Sequence, residues 1–224
     1  VLHLEVRAKE PRQAAACNVI AVLAGSDPSL AGEHVLVGAH LDHVGAWPDL
    51  LPGADDNESG SATLLEVARA AALLSPRPRR TLAFVWFGGE EMGLLGSCHM
   101  ARNPVPSLGR CAAVLNLDMV GVGNGAYVSG GKNFPEVMKA LEAARDRRQP
   151  GLKLIPGLSS GEPRADHGPF QRAGIPAVSL FGSGGTHHGY HTPEDTIFFI
   201  TPKSMEAIGR VVLDAAVALA DNKK

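Results

Sequence analysis

The chain has 224 residues and a formal net charge of -2 at pH 7, with 45% hydrophobic and 20% charged residues. This composition is typical of a globular protein with a sizeable core, and the nearly balanced charge argues against nucleic acid or a membrane surface as the main partner. No stretch approaches the roughly 18 uninterrupted apolar residues of a membrane span, and the first ten residues lack the features of a signal peptide.

Strands and helices alternate along most of the chain. The first strand is predicted from the alternation of Leu2, Leu4 and Val6, and it would form an edge hairpin with the next one. Further strands are predicted at 18–23, 35–39, 81–87, 112–117, 126–129 and 177–180, and helices at 59–74, 94–102, 134–148, 165–173 and 203–220. This order predicts an α/β fold, a three-layer sandwich with a mixed, mostly parallel central sheet flanked by helices. No linker interrupts it, so we expect one domain spanning residues 1–224.

Ligand-type side chains follow several of the predicted buried strands. His40 and Asp118 come directly after predicted strands, and Glu90 and Glu91 follow another one after two glycines. Ligands bind beyond the carboxyl ends of the strands in open α/β sheets. If the strands are parallel neighbours, these four side chains converge on one edge of the sheet.

Two more residues lie on loops that can reach the same edge. Asp55 precedes the helix at 59–74, and His191 lies between the last strand and the last helix. Taken singly, such residues often cap helices or offset the helix dipole. Their occurrence together, as two histidines and four carboxylates at strand ends, favours a metal site instead. Histidine and carboxylate ligands suit zinc, with cobalt or manganese as substitutes.

Five segments, in this order, resemble the motif set of the M28 family of zinc peptidases. They are GAHLDHVG, GADDNESGSATLLEVAR, FVWFGGEEMGLLGS, LNLDMVG and YHTPEDT. This family contains co-catalytic aminopeptidases of the bacterial leucyl and Streptomyces type, with glutamate carboxypeptidases and glutaminyl cyclases among their relatives. A further stretch, ADHGPFQRAGIPAVSL, has Ala165 where the family usually has serine.

The resemblance implies two zinc ions. The implied ligands are His40, Asp55, Glu91, Asp118 and His191. His40 and Asp118 would hold one ion, Glu91 and His191 would hold the other, and Asp55 would bridge the two. The resemblance also implies a cis peptide bond directly after the bridging aspartate, here between Asp55 and the next residue.

The other implied roles belong to residues beside the ligands. Glu90 would be the general base, because one of two adjacent glutamates can face the metal while the other faces the water. Tyr190 would donate a hydrogen bond to the developing oxyanion. Asp42 and Asp56 would lie behind the ligands, with the Asp42 carboxylate hydrogen-bonded to His40.

The function that the resemblance favours is a di-zinc aminopeptidase acting on peptides with a free N-terminus. A glutaminyl cyclase with one zinc ion stays open as the alternative. A metallocarboxypeptidase for acidic C-termini would need an arginine-rich pocket, and Arg164 is the only arginine near a site segment. A non-catalytic, receptor-like domain would typically have lost ligands, and none is lost here.

Several further predictions concern residues around the site and the setting of the protein. His187 and His188 are interpreted as loop or pocket residues, and so are His43 and His167, for which a role behind the ligands also stays open. The resemblance implies a secreted or periplasmic protein, with a cytoplasmic location as the alternative. Nothing in the sequence specifies the oligomeric state.

Overall fold

The computed structural model describes residues 15–46, 48–159 and 164–222, so the strand predicted at Leu2 to Val6 lies outside the described residues. The strands in these ranges are β1 (Val19–Leu23), β2 (Glu33–His40), β3 (Thr81–Phe87), β4 (Arg110–Leu117), β5 (Gly125–Ser129), β6 (Lys153–Pro156) and β7 (Ala177–Ser183). The α-helices are α1 (Gly60–Ala71), α2 (Leu95–Arg102), α3 (Pro135–Arg148), α4 (His167–Arg172) and α5 (Pro202–Asp221). An irregular turn (Ala54–Ser59), with non-helical backbone at Asp56 and Asn57, precedes α1.

The seven strands form one sheet in the order β1-β3-β2-β4-β7-β5-β6. β3, β2, β4 and β7 are parallel neighbours, and β6 is parallel to β5. β1 runs antiparallel to β3 at one edge, and β5 runs antiparallel to β7. The predicted mixed, mostly parallel sheet is therefore confirmed. β6 was not predicted, because its four residues are half-exposed and end in proline, which weakens the signal of a buried strand.

Helices cover both faces of the sheet, which confirms the three-layer sandwich. Successive β2 side chains alternate between the faces: Val35 and Val37 pack with α1, α3 and α5, whereas Leu36 packs with α2 and α4. All three are fully buried, and each such burial contributes about 1.5–3 kcal/mol. None of the described helices is long and apolar enough to cross a membrane.

The parallel strands determine where the site lies. Because β2, β3, β4 and β7 all point the same way, their carboxyl ends meet at one edge of the sheet. The start of α1 is pressed against this edge, since a Cβ at Gly60 would lie only 2.7 Å from the Leu117 carbonyl oxygen at the end of β4. Glycine at this position allows the close approach, and the loop before α1 is thereby held over the strand ends.

Candidate metal centre

Two groups of ligand-type side chains lie side by side beyond the strand ends. The first group consists of His40, Glu90 and Asp118, and the second of His43, Asp56, Glu91 and His191. Within each group, one donor atom from each residue lies within 4.8 Å of all the others. The structure therefore brings together the four predicted ligands that come from strand ends and from the last loop.

The Asp56 carboxylate belongs to the second group and also faces the first. Its Oδ1 atom is 3.3 Å from His40 Nε2, and its Oδ2 atom is 3.0 Å from His191 Nε2. The side chain is almost completely buried. With one oxygen facing each group, Asp56 has the position expected of a carboxylate that bridges two cations.

The Asp55 carboxylate faces away from the two groups, toward Gly121 and His187. Its Oδ1 atom accepts the Gly121 N–H at 2.9 Å, and its Oδ2 atom lies 2.5 Å from His187 Nδ1. The cis peptide bond joins Asp56 to Asn57, so its predicted position directly after Asp55 is wrong by one residue. The residue between the two groups is likewise Asp56 rather than Asp55. Two adjacent aspartates on an irregular turn point in different directions, and the sequence does not distinguish them.

Long-range hydrogen bonds hold this turn in place. The buried Asp195 carboxylate accepts the backbone N–H groups of Asp55 at 2.8 Å and of Asp56 at 3.0 Å. Asn57 donates from Nδ2 to the carbonyl at the end of β4 and accepts the Met119 N–H, both at 3.0 Å. Neither Asp195 nor Asn57 was a predicted site residue, although both lie within the motifs shared with the family.

Asp42 contacts the site differently from the prediction. His40 Nδ1 faces the Asp42 backbone carbonyl at 3.0 Å, whereas the nearer carboxylate oxygen is 4.0 Å away. The carboxylate instead accepts the backbone N–H groups of Glu90 at 3.0 Å and Glu91 at 3.2 Å. The side chain of Asp42 therefore positions the glutamate pair, and its main chain orients His40.

Burial disfavours the charged forms of several carboxylates in the site. It raises the pKa of Glu90 to about 8 and also raises the pKa values of Glu91 and Asp118. Burial lowers the pKa of His40, but hydrogen bonding to Asp118 and Asp56 outweighs this effect and raises it to about 12. A cation bound among these carboxylates would oppose the effect of burial and stabilise their charged forms.

The unpaired polar atoms of the second group also fit a cation. Glu91 Oε1, His191 Nε2 and both ring nitrogens of His43 are buried without a hydrogen-bond partner. Some of these atoms lie close together, with 3.2 Å between His191 Nε2 and Glu91 Oε1, but not in hydrogen-bonding geometry. Leaving such groups unpaired is costly, and a shared metal ion would satisfy them together.

The remaining predicted residues lie around this centre. The Tyr190 ring stacks on His191 with 3.9 Å between ring centroids, and burial raises the pKa of its partly exposed hydroxyl to about 12. His188 stacks on Phe199 at 4.3 Å. His167 is buried at the start of α4, where burial lowers its pKa to about 4.

The chain is similar in sequence to a known family of peptidases. The model of peptidase family M28 matches residues 18–216. Leupeptin-inactivating enzyme 1 of Streptomyces exfoliatus is 34% identical over 166 residues, which cover 73% of this chain and 35% of that protein. Aminopeptidase YwaD of Bacillus subtilis is 34% identical over 203 residues, covering 85% of this chain and 42% of the relative. The chain thus spans less than half the length of these two relatives.

Solved structures with the same fold include a zinc aminopeptidase, BSAP from Bacillus subtilis. It superposes with a TM-score of 0.74 at 30% identity, covering 88% of this chain and 48% of that one. Glutaminyl cyclase from Porphyromonas gingivalis superposes with a TM-score of 0.72 at 26% identity, covering 88% of this chain and 76% of that one. Since the family model covers most of the chain and the relatives agree with it, the chain belongs to peptidase family M28.

Proposed function

We propose that this chain carries the catalytic centre of a zinc aminopeptidase, which removes residues from the free N-termini of peptides. The observation that carries the proposal is the position of Asp56, which presents one carboxylate oxygen to each of two adjacent ligand groups. Similarity to the Bacillus aminopeptidase and to the zinc aminopeptidase structure supports the same activity.

The donor set fits two zinc ions. We propose that His40 and Asp118 hold the first ion and that Glu91 and His191 hold the second, with Asp56 shared. Nitrogen and carboxylate donors suit zinc, and cobalt or manganese would be accepted by the same atoms. Bound there, zinc would lower the pKa of a coordinated water and polarise the carbonyl of the bond to be cut.

The protein's own groups would supply proton transfer and orientation. Glu90 lies in the first group, and its backbone is held by the Asp42 carboxylate. It would take a proton from the attacking water and return it to the leaving amine, and burial favours the protonated form that it adopts in between. The Tyr190 hydroxyl would donate a hydrogen bond to the oxyanion as it develops.

Blocking the substrate's N-terminus tests the aminopeptidase proposal. We expect acetylated leucine p-nitroanilide to be cut at least about 10–100-fold more slowly than the free form, because a charged hydrogen bond or ligand contact is lost. The measurement is kcat/KM for both compounds with the zinc-loaded protein. Efficient cleavage of blocked or internal bonds would contradict an exopeptidase.

A glutaminyl cyclase is the second candidate, favoured by the structural likeness to the Porphyromonas enzyme. Two complete ligand groups favour hydrolysis, because the cyclase alternative requires one zinc ion only. A cyclisation assay with a glutaminyl peptide, run beside the aminopeptidase assay, separates the two activities.

A metallocarboxypeptidase would need an arginine-rich pocket for acidic C-termini. Arg164 is exposed, so such a pocket has little support here.

Changing Asp42 tests how the glutamate pair is held. We expect Asp42→Asn to weaken zinc binding roughly 10–100-fold, because an amide can accept only one of the two N–H groups well and its NH2 group opposes the other. The fold should persist, since the backbone carbonyl that orients His40 is unchanged. Zinc affinity from competition with a chelator is the measurement, and Asp49→Asn, at an exposed position on the same loop, is the control. Parent-like affinity would contradict the positioning role.

A further inference from the structure

We infer that His43 is a direct fourth protein ligand of the second zinc ion, together with Asp56, Glu91 and His191. This inference rests on the proposed two-ion function and adds a residue to it. It makes the two ions unequal: the second would be enclosed by four protein donors, whereas the first keeps an open position beside Glu90.

The distances between donor atoms support four-fold coordination. His43 Nδ1 lies 3.0 Å from Glu91 Oε1 and 4.0 Å from Asp56 Oδ2. His191 Nε2 lies 3.2 Å from Glu91 Oε1 and 3.0 Å from Asp56 Oδ2. Tetrahedral zinc with bonds of about 2.0–2.1 Å separates its ligand atoms by about 3.3 Å. The four distances therefore lie on both sides of the separation expected when all four side chains bind one ion.

The position of the His43 ring is determined by its surroundings. A Cβ at Gly53 would lie 2.6 Å from His43 Cγ, so the ring occupies space that any other residue at position 53 would fill. On another side, the ring meets His191 edge-on, with 5.5 Å between centroids. Only 11% of the side chain is exposed. The ring is thus fixed against the site rather than free on the loop.

The unpaired nitrogens favour a ligand role. Both ring nitrogens of His43 are buried without a hydrogen-bond partner, although Glu91 is close. An imidazole that only supported Glu91 would be expected to donate a well-formed hydrogen bond to it. A nitrogen that is near the carboxylate but does not bond to it is better explained by a shared cation.

With His43 as a ligand, the two ions would have different roles. Closed four-coordinate zinc sites are typically structural, whereas catalytic sites keep a position free for water or substrate. The first ion would have three protein donors, His40, Asp118 and the shared Asp56, which lie in or beside the group that contains the proposed base, Glu90. We therefore assign water activation mainly to the first ion and anchoring of Asp56 mainly to the second.

Metal affinity and coordination test this assignment in the full chain. In parent and His43→Gln protein, the two zinc dissociation constants are measured by competition with a chromophoric chelator, and imidazole ligands are counted by X-ray absorption at the zinc edge. His188→Gln, which removes an exposed histidine outside both groups, is the matched control. Circular dichroism of the metal-free proteins verifies that the fold is kept.

We expect three imidazoles per two zinc ions in the parent and two in His43→Gln. In the variant, the dissociation constant of one zinc ion should rise. The rise should exceed the roughly 10–100-fold that is typical of losing a hydrogen-bond partner outside the ligand set. Weaker binding with an unchanged imidazole count would make His43 an outer partner and overturn the ligand role, as would parent-like affinities for both ions. A parent that holds no zinc would instead overturn the proposed function itself.

Discussion

Glu90→Gln is expected to lower kcat about 10²–10⁴-fold while the protein keeps both zinc ions, because the amide cannot accept the water's proton. The substitution preserves the size of the side chain and leaves the donors Asp56, Glu91 and His191 unchanged. The effect should appear mainly in kcat, since the missing interaction is formed in the transition state. Zinc content and steady-state kinetics with leucine p-nitroanilide are the measurements.

The neighbouring glutamate supplies the contrast. Glu91→Gln should lose or loosen one zinc ion, and added zinc should partly restore its activity. Glu58→Gln, at an exposed carboxylate on the turn before α1, controls for loss of one negative charge near the site. If Glu90→Gln is the variant that loses zinc, the proposed roles of the two glutamates are reversed.

Asp56→Asn is expected to weaken both zinc sites and to abolish most activity. An amide offers one oxygen as a ligand, so it cannot present an oxygen to each group as the carboxylate does. The loss of affinity should exceed the roughly 10–100-fold typical of an outer partner, because a shared ligand is removed. Zinc stoichiometry after dialysis and residual activity measure the effect.

Asp55→Asn is the matched comparison on the adjacent residue. Its amide oxygen can still accept the Gly121 N–H, but the charged contact with His187 is lost. We expect both zinc ions to remain and the free energy of unfolding to fall by about 1.5–3 kcal/mol, as for a hydrogen bond to a charged group. The reverse pattern, with zinc lost from Asp55→Asn and kept by Asp56→Asn, would show that Asp55 is the bridging residue.

Much of the fold was predictable from local patterns. The apolar runs that became β2, β3 and β4 are continuous because parallel strands are buried on both faces, and this signal does not depend on distant residues. Side chains that follow parallel strands share one edge of the sheet. This rule predicted that four residues lie close together: His40, Glu90, Glu91 and Asp118. β6, short and half-exposed, carried no such signal.

The sequence by itself determined the fold class and the family, and it identified the strand ends that carry the candidate ligands. Only the tertiary structure decided which of two adjacent aspartates faces both groups and that His43 joins one of them. Those outcomes depend on side-chain directions on irregular turns, which are set by contacts far away in sequence. Asp195, for example, holds the backbone of Asp56 from 139 residues away. No local pattern encodes such a contact, so it becomes visible only once the strands have brought the two loops together.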